Sequence, residues 1–323
     1  GALGTPAEGM QLTPLGFHLA HMPVDVRSGK MLLYGALMRC IDPVLTVAAC
    51  LAQKSPFNRL GGKGGKGKDD KVAERRESAF GTLQSDHLAV VQAFEGWQRA
   101  IDSGGMAAGR DYCDKYALSL STMQSMKLLR TRFHRHLEEV GFLPRGSAAD
   151  AARESHRGKE GHSWDPNANS HELPLVRCVL CAGLYPNVVQ VQRTTGGKGH
   201  VKTTFVSAGD LDVCAVHPGS LNSKHTNEMN ANSGWLLYHS KVKTSKVYLH
   251  DSTLIACTPL LLFGGGDLRL CKDRHTMVVD SSLHFDGLRE ELAVLMKLLR
   301  REVDRLLLLK IANPSQDISE TAE

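Results

Sequence analysis

The apolar residues of this chain change their period once, and that change limits the layers it can build. Up to about residue 143 they recur every three to four positions, as on a helix face. Beyond the segment LPLVRCVLCAGLY they come in short runs set apart by turn residues, as strands do. In the first part, Met31, Leu32, Gly35, Ala36 and Cys40 mark one helix. A second begins near Pro43, whose fixed φ suits a first turn. The stretch from 59 to 76 holds seven basic and three acidic residues and is expected to be a mobile, solvated loop. SDHLAVVQAFEGWQRAI then predicts a helix capped by Ser85 or Asp86, with Leu88, Val91, Phe94 and Ile101 near one face. After Gly104 and Gly105, two more helices run to Gly141.

Residues 144–171 have few apolar anchors and read as a linker. A short helix, LPLVRCVLCAGLY, precedes the runs VVQVQRT, KTTFVSA, CAVHP, WLLYHSKV, SKVYLHDSTLI, LLLFGG, DLRLC and TMVVD, which predict a small antiparallel barrel or sandwich. An amphipathic helix from about Leu288 to Ala312 stops before Pro314. The fold class is therefore α+β: an all-helical region, a small antiparallel β-barrel and a C-terminal helix.

Several motifs imitate chemistry that their surroundings do not support. Gly62, four residues, then Gly67-Lys68 approaches a phosphate-binding loop, but Asp69 stands where a Mg²⁺-ligating hydroxyl is needed, and the preceding segment is helical rather than a buried strand. Cys178 and Cys181 form a lone CxxC without a second ligand pair, so they read as core thiols, as do most of the eight cysteines. His134 and His136 are two apart on a helix and diverge. His156, His162 and His171 fall in the linker. No catalytic set and no metal ligands are assigned.

No apolar run approaches the roughly 18 residues needed to span a bilayer. A net charge of +5 is compatible with a polyanionic partner. The β-rich part carries Lys198, His200, Lys202, His217, Lys224, Lys241, Lys243 and Lys246 among Trp235, Tyr238 and Tyr248. Cations for phosphates and rings for bases suit single-stranded nucleic acid, but composition alone decides nothing between that reading and an ordinary barrel with core aromatics.

LTPLGFHLAHMPVDVRSGKMLLYGALMRCIDPVLTVAACLAQKSPF resembles the helicase-associated region of DEAH-box (DEAH/RNA-helicase-A type) RNA helicases, and SDHLAVVQAFEGWQRA is similar to the helix that follows it there. CAGLYPNVVQV, AVHPGSLN, GWLLYHSKVKTSKVYLHDST and LLLFGGGDL continue the resemblance in order, over roughly residues 11 to 312. It implies a C-terminal portion: a winged-helix remnant (1–24), a helical ratchet-like domain (25–143) with the basic loop 59–76, a linker (144–171), an OB-fold (172–286), a helix (287–312) and a tail (313–323). A start at Gly1 rather than Met fits a fragment, with the ATPase motifs upstream. Alone, the chain is expected neither to hydrolyse ATP nor to unwind RNA, and to need no cofactor; ATP and Mg²⁺ belong to the absent motors.

The resemblance also nominates an RNA-binding set. AVHPGSLN looks like the OB-fold loop that touches RNA, giving His217, Gly219, Ser220 and Asn222, with Pro218 where some members have Lys. Lys241, Lys243 and Thr244 are the second choice. Asp86 and His87 begin the ratchet helix facing the channel, where capping and interdomain contact are an equal reading. VDSSLHF lacks the Trp of the family's pattern, which bears on packing near Ser282.

The implied partners are single-stranded or structured RNA, RecA-like motor domains of the same polypeptide and a G-patch-type activator, with no membrane, in the cytoplasm or nucleus. The alternative is a stand-alone nucleic-acid-binding or helicase-regulating protein without motor activity.

Overall fold

The structure, a computed structural model, describes residues 11–58, 66–146, 164–195, 201–226, 229, 234–266, 268–273 and 275–314. The centre of the Gly/Lys stretch, most of the expected linker with His156 and His162, Lys198, His200 and the end of the tail lie outside them. The chain forms two compact units.

One unit comprises Gly1–Leu45, Arg130–Leu184 and Thr258–Glu323. Thr13 caps α1 (Pro14–His21), accepting from the Gly16 amide at 3.1 Å, and Pro14 enters the first turn. Asp25 caps α2 (Val26–Leu37), accepting from Arg27 and Ser28. The predicted face of α2 is buried, with Met31, Leu32 and Ala36 fully covered. It packs on α7 (Leu173–Leu184), where Gly183 permits close approach: a Cβ there would stand 2.7 Å from Met31 Cβ. Cys178 and Cys181 are buried on α7, and burial pushes the Cys178 thiol up to about 11, that of a packing residue and not a nucleophile.

Residues 164–171 serve the turn between α2 and α3 (Ile41–Leu51). Asn167 accepts from the Asp42 amide at 2.9 Å and Asn169 donates to the Met38 carbonyl at 2.9 Å. This unit also contains three short strands, β6 (Leu268–Leu270), β7 (Met277–Val279) and β8 (Leu283–Phe285), and the long α9 (Glu290–Ala312). Ser282, at the place of the missing Trp, is exposed, while Leu283 and Phe285 fill the core side. The Arg300 guanidinium of α9 donates to the carbonyls of Leu261 and Gly264, ending α8 (Cys257–Phe263).

The other unit comprises Thr46–Leu129 and Tyr185–Cys257. Its helices include α4 (Lys66–Phe80) and α5 (Asp86–Tyr116), with the start of α6 (Leu120–Val140). Here the structure corrects the expected loop as far as residue 76. From Lys66 the chain is helical, and Arg76, counted as a solvated charge, is 7% exposed. Its guanidinium donates to the carbonyls of Tyr116, Asn58 and Ala117, where α5 ends on a left-handed Ala117 (φ 47). Tertiary hydrogen bonding thus organises a segment of low apolar content. The glycine pair interrupts α5 as predicted, with Gly105 at φ 66, ψ −164, a conformation essentially confined to glycine.

Five strands close the barrel in the order β1 (Val188–Thr195), β2 (Val201–Ser207), β3 (Val213–Val216), β5 (Val247–Ile255) and β4 (Trp235–Lys243). An odd number of strands cannot alternate direction all the way round, so one seam must be parallel. It is β3–β5, with Val216 opposite Leu249, and the other four pairings are antiparallel. The small antiparallel barrel expected from the sequence is thus present, with this one parallel seam. LLLFGG, read as a strand, lies largely in α8, and β6, β7 and β8 form a separate sheet instead of joining the barrel.

Candidate nucleic-acid interface

The barrel interior takes Val191, Phe205, Val216, Leu236, Leu249 and Leu254 among others. Leu249 and Leu254 are five apart on β5, yet both face inward, which strict alternation forbids. Asp251 between them has a left-handed backbone (φ 52), which resets the alternation and turns the following residues. Ser252 and Thr253 are thereby buried side by side and available to polar partners.

Those partners come from the start of α5. Ser85 caps the helix, its hydroxyl accepting from the Leu88 amide at 3.0 Å and lying 2.7 Å from Thr253 Oγ1. The Asp86 carboxylate collects four donors: Ser220 Oγ at 2.6 Å, the Ser252 amide at 2.7 Å, the Leu221 amide at 2.9 Å and Ser252 Oγ at 3.2 Å. Asn222 donates to Ser252, at 3.0 Å to its carbonyl and 2.9 Å to its hydroxyl. Burial pushes the Asp86 carboxyl above the ordinary carboxylate range, and the bonds from Ser220, Ser252 and Leu221 oppose that shift.

His87 is 3% exposed, with Nδ1 2.7 Å from Thr253 Oγ1, while Nε2 has no partner among the described residues. Burial holds this imidazole down at about 4, against the pull of Asp251, so it is neutral near pH 7.

The nominated residues therefore divide. Asp86, His87, Ser220 and Asn222 converge, but their polar atoms meet one another and β5. They fix the loop after β3 to the start of α5. His217 and Gly219 lie on the open side of that loop. His217 Nδ1 accepts from the Gly219 amide at 3.0 Å, so the neutral ring carries its proton on Nε2. Its ring stacks on His250 with centroids 4.1 Å apart and meets Tyr248 edge-on at 5.9 Å.

Lys241, Lys243 and Thr244 belong to the β4–β5 hairpin. Lys241 is ion-paired with Asp210 and lies 3.5 Å from Asp212, and it draws the Asp210 carboxyl down to about 2. Lys243 and Thr244 are exposed, and Lys243 has no ion pair among the described residues. Of the aromatics, Trp235 and Tyr238 are buried and Tyr248 is half-buried. Ser252, Thr253, His250 and Glu77 were missed. Glu77 pairs with both Lys224 and His225 at 2.8 Å. Only the run LHDST hinted at the first three, and nothing in a linear reading predicts that its serine and threonine face inward.

Among the described residues no three His, Cys, Asp or Glu side chains converge to hold a metal ion, and no helix is long and apolar enough to cross a membrane.

A closed barrel of five strands is the architecture of an OB-fold. Comparison with known families agrees: residues 25–90 match the helicase associated domain (HA2), ratchet-like; residues 176–266 the oligonucleotide/oligosaccharide-binding (OB)-fold; and residues 275–323 the C-terminal domain in RNA helicases. The chain carries the C-terminal region of the DEAH-box RNA helicase family.

It is 39% identical over 307 residues to the ATP-dependent DNA/RNA helicase DHX36 of Bos taurus, covering 94% of this chain and 28% of that protein. It is 36% identical over 317 residues to the DExH-box ATP-dependent RNA helicase DExH1 of Arabidopsis thaliana (96% and 28%). With the human ATP-dependent RNA helicase DHX29 it shares 33% over 308 residues (95% and 21%). The chain thus spans under a third of the length of these relatives.

Proposed function

We propose that this chain is the RNA-gripping region of an ATP-dependent RNA helicase, holding single-stranded RNA while RecA-like motor domains of the same polypeptide hydrolyse ATP with Mg²⁺ and step along it. The observation that carries this reading is the Asp86 network. It anchors the loop His217–Asn222 through backbone and side-chain donors together, so that the loop's open side is held in one shape for a ligand. Pre-organisation of this kind lowers the ordering cost of binding.

In this reading His217 and Gly219 contact RNA directly, and Asp86, His87, Ser220 and Asn222 position them. Lys243 and Thr244 meet the backbone from the hairpin. Lys241 contributes less, because Asp210 and Asp212 already oppose its charge. Pro218 supplies no cation, which leaves Lys243 and its neighbour Lys246 as the positive charges of this edge. A G-patch-type activator and an intracellular setting follow from the same assignment.

The test is fluorescence anisotropy of the chain with a short single-stranded oligouridylate over a salt series. Affinity is expected to fall steeply as salt rises, and Lys243→Ala to lower the slope of log K against log salt by about one. Absence of salt-sensitive binding overturns the proposal. Its motor part is checked separately: the reading frame upstream of Gly1 should continue into a GxxxxGK[ST] motif and a DEAH-type box.

A further inference from the structure

We infer that Tyr248, His250 and His217 form a stacking platform for a nucleobase of single-stranded RNA, an inference that rests on the RNA-binding reading above. Leu249 points into the barrel, so its neighbours Tyr248 and His250 stand on the outer face of β5. The parallel seam places the end of β3 beside them: Val216 pairs with Leu249, and the His217 amide donates to the Leu249 carbonyl at 3.0 Å. Three rings, two on β5 and one just past the end of β3, thereby come together, His217 on His250 at 4.1 Å with 28° between planes and Tyr248 edge-on at 5.9 Å.

Two features separate this group from aromatics that merely fill space. Each ring keeps part of its surface open, and neither the Tyr248 hydroxyl nor the His250 ring nitrogens make a hydrogen bond among the described residues. The group is also held in place before any ligand arrives, because Gly219 bonds His217 Nδ1 and the Asp86 network pins the residues just beyond. A preset π-surface with unsatisfied polar edges suits a flat heterocycle that brings its own donors and acceptors. The exposed Lys243 and Lys246, at the hairpin from which β5 starts, supply cations for the adjoining phosphates. Stacking tolerates any base, so the platform requires no particular RNA sequence.

The experiment compares the whole chain on two probes by fluorescence anisotropy, at matched points of one salt series: a labelled oligouridylate, and the same backbone with abasic sites replacing the bases. The wild-type chain is expected to prefer the base-bearing strand by about 5- to 150-fold, the range of one stacked base. Tyr248→Ala and His250→Ala are expected to remove most of that preference and to leave the salt slope unchanged, because no phosphate contact is lost. Tyr248→Phe keeps the ring and should retain the preference, which separates stacking from misfolding.

Equal binding of both probes by the wild type, or a preference that survives both alanine variants, overturns the platform and leaves the three rings as ordinary surface packing or a protein-facing patch. In that case salt-dependent binding persists and the general RNA-binding reading stands. No binding to either probe overturns both.

Discussion

At the N-terminus of α5 a carboxylate, Asp86, gathers four donors; at its C-terminus a guanidinium, Arg76, reaches across from α4 to three carbonyls. A helix leaves amides bare at its start and carbonyls bare at its end. Arg76 answers the carbonyls, whereas at the start Ser85 caps the Leu88 amide and Asp86 is left to collect donors from outside the helix. The two ends differ in who the partners are. Asp86 bonds to the barrel, through Ser220, Leu221 and Ser252. Arg76 bonds only within the helical part, to Asn58, Tyr116 and Ala117. One end of the helix therefore couples its position to the candidate RNA loop, and the other stabilises the bundle. Burial acts on both charges, raising the Asp86 carboxyl and lowering the Arg76 guanidinium to about 10.

The largest expected effect is at Asp86. Asp86→Ala strands two amides and two hydroxyls and should cost roughly 4 kcal/mol in urea unfolding, with RNA affinity falling in the folded protein as the loop loses its anchor. If affinity stays at the wild-type value, the N-terminal end has no functional coupling and the contrast collapses.

Next comes a pH effect at His87, which shares that end. Its folded pKa of about 4 lies below the ordinary 6.5. Its contribution is therefore complete above about pH 6.5 and is lost as pH falls toward 4, where the unfolded imidazole takes up a proton that the folded one refuses. The loss should reach roughly 3 kcal/mol. His87→Gln should flatten that part of the stability profile relative to wild type, and an unchanged difference across this window would place the dependence elsewhere.

Arg76→Met should cost less, roughly 2 kcal/mol, because carbonyls tolerate a lost partner better than buried amides do. Its RNA affinity at a temperature where the protein is folded is expected to match wild type; a fall would mean that both ends report to the barrel. The smallest effect belongs to Lys241→Ala, within about 1 kcal/mol, as for other ion pairs near the surface. Its sharper readout is the Asp210 carboxyl, which should titrate closer to 3.8 than to about 2 when followed by NMR.

The two ends of α5 also differ in how readable they were. Ser85 and Asp86 announce a helix start by residue type, and the resemblance already named Asp86 and His87. Their partners in β5 were hidden, because a left-handed Asp251 reverses which residues face inward and no alternating pattern shows a reversal in advance. Arg76 was read as one more charge in a basic loop, since its burial depends on carbonyls 40 residues away that no local pattern reveals. Periodicity foretold the α2 face and the run of barrel strands, and the glycine pair itself the break at Gly104 and Gly105, because each is set by neighbours in sequence. LLLFGG misled for the opposite reason: a short apolar run is compatible with either element, and here the Arg300 guanidinium closes it as a helix.

The division of the chain into units has a consequence for synthesis. Each unit draws on stretches far apart in sequence, and one of them needs residues from Thr258 onward as well as those before Leu45. As the chain leaves the ribosome, α2 must wait with an apolar face uncovered until α7 emerges more than 130 residues later to cover it. Contacts this distant slow folding and expose the nascent chain to aggregation in the interval. Cutting the chain at residue 143 to obtain a helical fragment and a barrel fragment would divide both units rather than separate them.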